Sequence, residues 1–145
     1  MLSRRPNDRP DLVIFVEIID FKGPHERALI KIENAVVKKM LSGVPPPNAE
    51  STIRKKGSSK TLVDTGEMVG HVTHLQTEEG DLLSGEVGFF DEELAKRAAI
   101  NEFGTGDGRV PARPFVRPAF DETAQKAADE MADEIYKQIE EKLGW

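Results

Sequence analysis

Apolar and polar residues follow two different periods near the start of the chain, and each period predicts a different element. Residues 12–19 (LVIFVEII) are apolar at almost every position and rich in β-branched side chains, which predicts a strand buried on both faces. In residues 20–43 the apolar positions recur at spacings of three and four, which predicts an amphipathic helix. The apolar stripe of that helix consists of Leu29, Ile32, Val36 and Met40.

The middle of the chain has the pattern of a β-hairpin. Residues 71–76 and 82–90 are strand-like, and the turn between them is centred on Gly80. Gly85 and Gly88 weaken the return strand, and we expect them to mark a bulge or a close approach of another group.

Two further helices are predicted after the hairpin. Asp91 is placed to cap a short helix over 92–103, which ends at Gly104. The clearest amphipathic pattern covers 121–143, where Asp121 is the expected N-cap and the polar face is almost entirely charged. The apolar stripe of this long helix consists of Ala124, Ala128, Met131, Ile135, Ile139 and Leu143. Helices at both ends of a central antiparallel sheet predict the α+β class.

The length of 145 residues suits about one domain. Residues 1–10 are polar and contain two prolines, which predicts a flexible arm, and residues 11–145 are expected to form a single domain. Within it, residues 44–66 predict a long loop, because they are proline-rich at the start, then basic, and have no clear period. We expect this loop to become ordered against a partner, to face nucleic acid, or to stay solvated.

Composition excludes several kinds of site. The chain contains no cysteine, which excludes disulfides, thiolate catalysis and cysteine-ligated zinc. No run of about 18 apolar residues is present, so we expect no membrane span. The first residues also lack the apolar stretch of a signal peptide.

The net charge of −6 is unevenly distributed along the chain. Acidic residues are concentrated in 121–143, and basic residues in 1–10 and 53–60. The remaining basic cluster consists of Arg109, Arg113 and Arg117. This asymmetry indicates surfaces that meet a partner, although any one cluster is also consistent with a solvated face.

The sequence offers little support for catalysis. Residues 57–61 (GSSKT) resemble a phosphate-binding loop only faintly, because the two required glycine positions hold Ser59 and Arg54. His71 and His74 could contribute to a metal site, but solvent-facing strand histidines are the simpler interpretation. No nucleophile, base and orienting group are brought together by any motif. We therefore expect a protein that is not an enzyme and has no cofactor.

Two alternatives remain open from the residues alone. A nucleic-acid-binding accessory protein is consistent with the basic residues in 53–60 and 109–117, which could neutralise phosphates. A hydrolase with an unrecognised carboxylate site is the weaker alternative.

An ordered set of motifs resembles a known family. The segments TLVDTGEM (61–68), INEFGTG (100–106) and VPARPFVRPAF (110–120), with the hairpin between the first two and the amphipathic helix at the end, are similar to the head–tail joining or tail-completion proteins of long-tailed bacteriophages. The resemblance covers roughly residues 25–143, and the order of the motifs is more specific than any one of them. The matching positions are Asp64, Thr65, Gly66, Glu102, Phe103, Gly104, Thr105, Pro111, Arg113, Pro114, Phe115, Arg117 and Pro118. Glu67 and Met68 depart from the family's pattern, in which a basic or leucine-containing start is common.

The resemblance implies a structural subunit of the virion neck, made in the host cytoplasm during assembly. Such subunits form a homo-oligomeric ring, commonly of six copies, between the head connector or adaptor and the tail tube or tail terminator. No catalysis, cofactor or membrane partner is implied. The ring encloses the DNA channel, which permits non-specific contact with DNA.

Physical reasoning gives the motif residues expected roles. We expect Phe115 to be a buried anchor, Phe103 to fill the core as the short helix ends, and the prolines to stiffen the segment. Arg113 and Arg117 are expected to pair with carboxylates, either Glu102 or the acidic face of a terminal helix, in the same chain or a neighbour. The plainer interpretation is a rigid loop that crosses the core with exposed arginines.

Two other groups of residues also have expected roles. Asp64 is expected to accept hydrogen bonds from nearby backbone amides, and Gly66 to allow the turn that leads into the hairpin. The basic residues of the long loop are expected to dock on a partner ring. These docking residues are Arg54, Lys55, Lys56 and Lys60.

Overall fold

The computed structural model of the chain describes residues 19–46 and 67–144. The expected arm 1–10, residues 12–18 of the predicted first strand, and residues 47–66 of the predicted loop lie outside these ranges. The described elements, numbered in chain order, are α1 (Lys22–Leu41), α2 (Glu67–Gly70), β1 (Thr73–Glu79), β2 (Leu82–Gly88), α3 (Glu92–Phe103) and α4 (Val116–Leu143). The protein is therefore α+β, with an antiparallel sheet and a long C-terminal helix, as the sequence predicts.

Helix α1 confirms the predicted amphipathic pattern. Leu29, Val36 and Met40 of the expected stripe are buried, and Ile32 is half-buried. Pro24 is the third helical residue, where the amide that proline lacks would have had no partner within the helix.

The hairpin is a two-stranded antiparallel sheet with one face against α1. Its register pairs Thr73 with Gly88 at the open end and Glu79 with Leu82 beside the turn. On the inner face, Gln76 Nε2 donates to the Lys22 carbonyl oxygen at 3.0 Å. A two-stranded hairpin is marginal by itself, so its packing on α1 supplies much of its stability.

A ladder of ion pairs joins α1 to α4. The pairs are Arg27 with Glu134, Lys31 with Glu130, and Lys39 with Glu122. Each step toward the C-terminus of α1 is matched by an equal step toward the N-terminus of α4, so the two helices are antiparallel. Because these groups are partly exposed, each pair contributes only about 0–1 kcal/mol, and the ladder chiefly specifies the register of the two helices.

The long helix begins earlier than the sequence predicts. Its first residue is Val116, and Asp121, the expected N-cap, lies inside the helix. The prediction was wrong because the three prolines suggested a loop, whereas Pro118 is the third helical residue and causes no loss of a hydrogen bond there.

The buried stripe of α4 also differs from the predicted one. Ala127 is buried, whereas Ala128 and Leu143 are exposed. Glu130 and Glu134 pair with α1. Ala127 is three positions before Glu130 and seven before Glu134, so it shares their side of the helix and faces α1. The sequence alone could not distinguish two adjacent alanines.

One hydrophobic core joins the helices and the residues that flank them. Its buried members are Val36, Met40, Val44, Met68, Val72, Leu94, Ala98, Phe115 and Ala119. Phe115, at the start of α4, is completely buried in this core.

Candidate functional site

The residues of the EFGTG and PARPF motifs meet in one corner, where α3 ends and α4 begins. Glu102, in the last turn of α3, is buried, and its carboxylate is directed at the first amides of α4. Oε2 accepts hydrogen bonds from Phe115 N at 2.8 Å and Val116 N at 3.0 Å, and Oε1 accepts one from Arg117 N at 3.0 Å. A carboxylate from one helix thus caps the next helix.

This cap satisfies the start of α4 completely. The amides of residues 115–117 donate to Glu102, and Pro118 has no amide hydrogen. The next amide, Ala119 N, donates to the Phe115 carbonyl oxygen at 3.2 Å. The negative carboxylate also complements the positive end of the helix dipole, which offsets the cost of burying a charge.

Gly104 ends α3 in a conformation that other residues avoid. Its φ is 72°, and a Cβ at this position would lie 2.8 Å from both the Ala112 backbone nitrogen and the Val110 carbonyl oxygen. Glycine is therefore required twice here, by the backbone angle and by the close approach of the returning chain.

The turn after Gly104 is organised by Thr105. Thr105 N donates to the Val110 carbonyl oxygen at 3.0 Å, and Val110 N donates back to Thr105 Oγ1 at 3.0 Å. Thr105 Oγ1 donates to Asp107 Oδ1 at 2.7 Å. The hydrogen bond from the Arg109 amide, followed by that from Thr105, lowers the pKa of Asp107. The turn is thus fixed by its own side chains.

The two motif phenylalanines have opposite environments. Phe115 confirms the expected buried anchor, and its ring meets that of Phe89 edge-on with the centroids 6.2 Å apart. Phe103 was expected to fill the core, but it is 79% exposed. Ala98 and Glu102 are four residues apart and occupy the inward face of α3, which leaves Phe103 on the outer side.

The two motif arginines also differ. Arg113 is buried, its amide donates to the Asn101 carbonyl oxygen at 2.6 Å, and its Nε donates to the Pro46 carbonyl oxygen at 2.7 Å. The Glu102 carboxylate, expected as a partner for these arginines, is used by backbone amides instead. Arg117 is exposed, and its Nε donates to Asp121 Oδ2 at 3.2 Å, an ion pair within α4.

Burial of Arg113 changes its expected role. Its contacts link the corner to the end of the segment 19–46, so it stabilises the fold of its own chain. Pro111 and Pro114 are exposed on the same segment, and their stiffening role stays a prediction.

The remaining predicted site residues lie outside the described ranges. These residues are Asp64, Thr65, Gly66, Arg54, Lys55, Lys56 and Lys60. Their roles in the turn and in docking stay predictions.

An exposed apolar groove between α3 and the start of α4 was missed by the sequence analysis. It has a volume of about 390 Å³ and is lined by Ala98, Ala99, Glu102, Phe103, Val116, Arg117 and Phe120. Val116 and Phe120 are four residues apart, which would have indicated a helical apolar pair if the helix had been started at residue 116.

His74 is oriented differently from the expected solvent-facing histidine. It lies on the inner face of the hairpin, with Nδ1 2.5 Å from Glu33 Oε2 and Nε2 3.5 Å from Glu26 Oε1. The hydrogen bond with Glu33, supported by Glu26, raises the pKa of His74 above its usual value. Across residues 19–46 and 67–144, no group of three or more potential ligands is arranged to hold a metal ion.

Comparison of the chain with protein-family models, curated proteins and solved structures found no match. Among the helices that the structure describes, none has the length and apolar character needed to cross a membrane. A functional assignment therefore depends on the motifs and on the geometry of the corner they form.

Proposed function

We propose that this protein is a structural subunit of the neck of a tailed bacteriophage, where it forms a ring that joins the tail tube to the head connector. The observation that supports this proposal most directly is the contact between Glu102 and the amides of residues 115–117. It gives a physical reason why the two motifs that carry the family resemblance occur together, since each completes the other.

The corner is suited to a structural role. Its polar groups are engaged in holding the two helices and the turn at a fixed angle, through Glu102, Thr105 and the amide of Arg113. A rigid corner with exposed prolines costs little conformational entropy when it docks on a partner. In this proposal the site performs no chemistry and needs no cofactor.

Charge on the long helix favours protein partners over nucleic acid at that surface. Asp129, Asp133 and Glu141 are exposed on α4. Lys126 and Lys137 are also exposed on this helix, but exposed carboxylates outnumber them. Carboxylates repel the phosphate backbone, so this face is suited to basic protein surfaces or to solvent.

Joining of heads and tails in vitro tests the proposal. Heads and tails purified from a phage mutant that lacks this protein are mixed with and without the purified full chain. We expect joined particles only when the chain is added, and electron microscopy with a labelled subunit should locate it at the junction.

Two results would contradict the assignment. Joined particles that lack this polypeptide at the neck would remove the proposed role. Salt-sensitive retention of DNA by a chain that forms no assembly, measured by size exclusion with light scattering, would favour the nucleic-acid-binding alternative.

A further inference from the structure

The outer face of the hairpin is uncovered in the described part of the chain. The side chains that alternate away from α1 are those of Thr73, Leu75, Thr77 and Glu79 on β1, and of Leu82, Ser84 and Glu86 on β2. Leu75 is 49% exposed and Leu82 is 63% exposed. Both charged groups on this face are carboxylates, and no cation accompanies them.

The groove between α3 and α4 is apolar like that face and carries a cation on its rim. The Glu102 carboxylate, which also lines the groove, is engaged by the amides at the start of α4. Phe103 and Phe120 are exposed along it, and Ala98, Ala99 and Val116 give it a shallow apolar floor. Arg117 lies on its rim with its side chain 80% exposed, and its ion pair with Asp121 uses Nε alone of the five guanidinium N–H donors.

We propose that the outer face of the hairpin of one copy docks in the α3–α4 groove of the next copy. Leu75 and Leu82 would bury against Phe103 and Phe120, and Glu86 or Glu79 would meet Arg117. The two surfaces are different parts of one chain, so the contact is heterologous. Repetition of such a contact gives a ring when the rotation between copies closes, as the proposed function requires. This inference rests on the proposed ring-forming function and names the surfaces that build the ring.

The proposed contact is small. Each strand of the hairpin has seven residues, a length of about 23 Å, and the two strands are about 5 Å apart. One contact therefore buries less than the roughly 800 Å² per partner of a stable complex. We therefore expect single contacts to be weak in dilute solution. Closure of the ring, or a tail tube that gathers several copies, would then stabilise all contacts together.

The absence of cysteine allows a direct test with the full chain. One variant carries Thr77→Cys on the hairpin, and a second carries Ala99→Cys in the groove. The two are mixed at high concentration and treated with a short bismaleimide cross-linker. A matched control replaces Ala99→Cys with Ala132→Cys, which is also an exposed helical alanine but lies on α4 away from the groove.

We expect the 77–99 cross-link to exceed the 77–132 cross-link about tenfold, which corresponds to a contact preference of ~1.4 kcal/mol. Cross-links between two copies of one variant should stay at the control level. A chain with both cysteines, Thr77→Cys and Ala99→Cys, should give a ladder of covalent oligomers that ends at the closed ring.

Phe103→Gln provides an independent test. Phe103 is 79% exposed, so circular dichroism and the unfolding midpoint should hardly change, whereas the 77–99 cross-link should fall to the control level. Leu143→Gln, at the far end of α4 and 45% exposed, should leave the cross-link unchanged.

The possible failures can be told apart. A ring, or a joined particle, that forms without an excess of the 77–99 cross-link overturns the proposed interface and leaves the proposed function standing. A symmetric excess of 77–77 or 99–99 cross-links, or a cross-link from Ala99→Cys to a tail or connector protein instead, also overturns the interface. A concentrated chain that shows neither cross-link nor assembly, alone or with tail tubes, contradicts both proposals.

Discussion

A single buried carboxylate, that of Glu102, organises the corner of this protein. It is one of only two charged side chains among the described buried residues, the other being Arg113. A carboxylate with several backbone donors replaces the hydration it loses on burial, so burial and capping depend on one another. Removal of the side chain would leave three amides at the start of α4 without an acceptor.

Replacement of Glu102 tests this dependence. We expect Glu102→Ala to lower the free energy of unfolding by about 1–3 kcal/mol, because buried donors lose their acceptor. Glu102→Gln should cost less, because its amide oxygen still accepts hydrogen bonds. Some loss should remain, because its NH₂ group faces a backbone N–H donor. Urea denaturation measures both, with the exposed Glu141→Ala as the control; a Glu102→Ala value as small as the control's would show that the cap contributes nothing.

Gly104 and Gly106 form a matched pair for the turn. At Gly104 an added Cβ would meet backbone atoms at 2.8 Å and φ is 72°, whereas at Gly106 nothing lies within 4 Å. We expect Gly104→Ala to destabilise the fold by about 1–3 kcal/mol and Gly106→Ala by much less. Thermal unfolding of the two variants decides the matter, and equal losses would contradict the role given to the close approach.

At the scale of elements, α1 is the platform of the described structure. One side of it pairs with α4 through the ladder of Arg27, Lys31 and Lys39, and the hairpin packs on it through Gln76 and His74. The hairpin is held by few contacts, so its docking on α1 should respond to single substitutions.

Gly85 marks the closest approach of the hairpin to α1. A Cβ at Gly85 would lie 2.6 Å from Leu29 Cδ1 and nearer still to Cδ2, whereas a Cβ at Gly88 would meet nothing within 4 Å. We expect Gly85→Ala to cost about 1–3 kcal/mol by overpacking the buried Leu29, and Gly88→Ala to have little effect. Hydrogen exchange of the hairpin amides should show faster opening in Gly85→Ala alone; equal protection in both variants would refute the predicted overpacking.

The ion pair of His74 should make hairpin docking dependent on pH. Its pKa is raised in the folded protein by Glu33 and Glu26, so its stabilising contribution is complete below the unfolded value of about 6.5. That contribution is lost as the pH rises through the higher folded value. Wild-type stability should therefore fall between about pH 6 and about pH 8 by more than that of His74→Gln, as measured by urea denaturation. Parallel curves for the two proteins would be inconsistent with this linkage.

At the scale of the whole molecule, folding and assembly are expected to use different residues. The core and the buried side chains of the corner, Glu102 and Arg113, hold the fold. The exposed side chains of the groove and of the hairpin face, and the basic residues of 53–60, are candidates for contact with other chains. A chain that lacks 53–60 should therefore fold but dock poorly on tails.

Deletion of 53–60 gives this expectation a measurable form. We expect unchanged circular dichroism, and a reduced yield of joined particles in the mixing assay. A matched deletion control substitutes eight Gly and Ser residues, which preserves the length and removes the charge. Loss of secondary structure would show that the segment belongs to the fold, and an unchanged yield would remove its docking role.

Local patterns in the sequence determined the elements of this protein. Apolar spacing located α1 and the part of α4 from residue 121 onward, and turn chemistry located the hairpin. Asp91 was correctly predicted as the N-cap of α3, where its Oδ1 accepts from Leu94 N at 3.0 Å. These features depend on residues a few positions apart, so their physics is visible in the sequence. The EFGTG and PARPF motifs likewise contain the residues that meet at the corner.

Only the tertiary structure decided how the corner is used. The cap of α4 comes from Glu102, thirteen positions before Phe115. Because capping patterns in a sequence span only a few residues, the sequence did not indicate that the helix begins at Val116. The burial of Arg113 depends on a contact with Pro46, and the exposure of Phe103 on which face of α3 the core occupies. The burial and the contacts of these side chains depend on packing between segments that are distant in the sequence. Neighbouring residues along the chain therefore do not predict them.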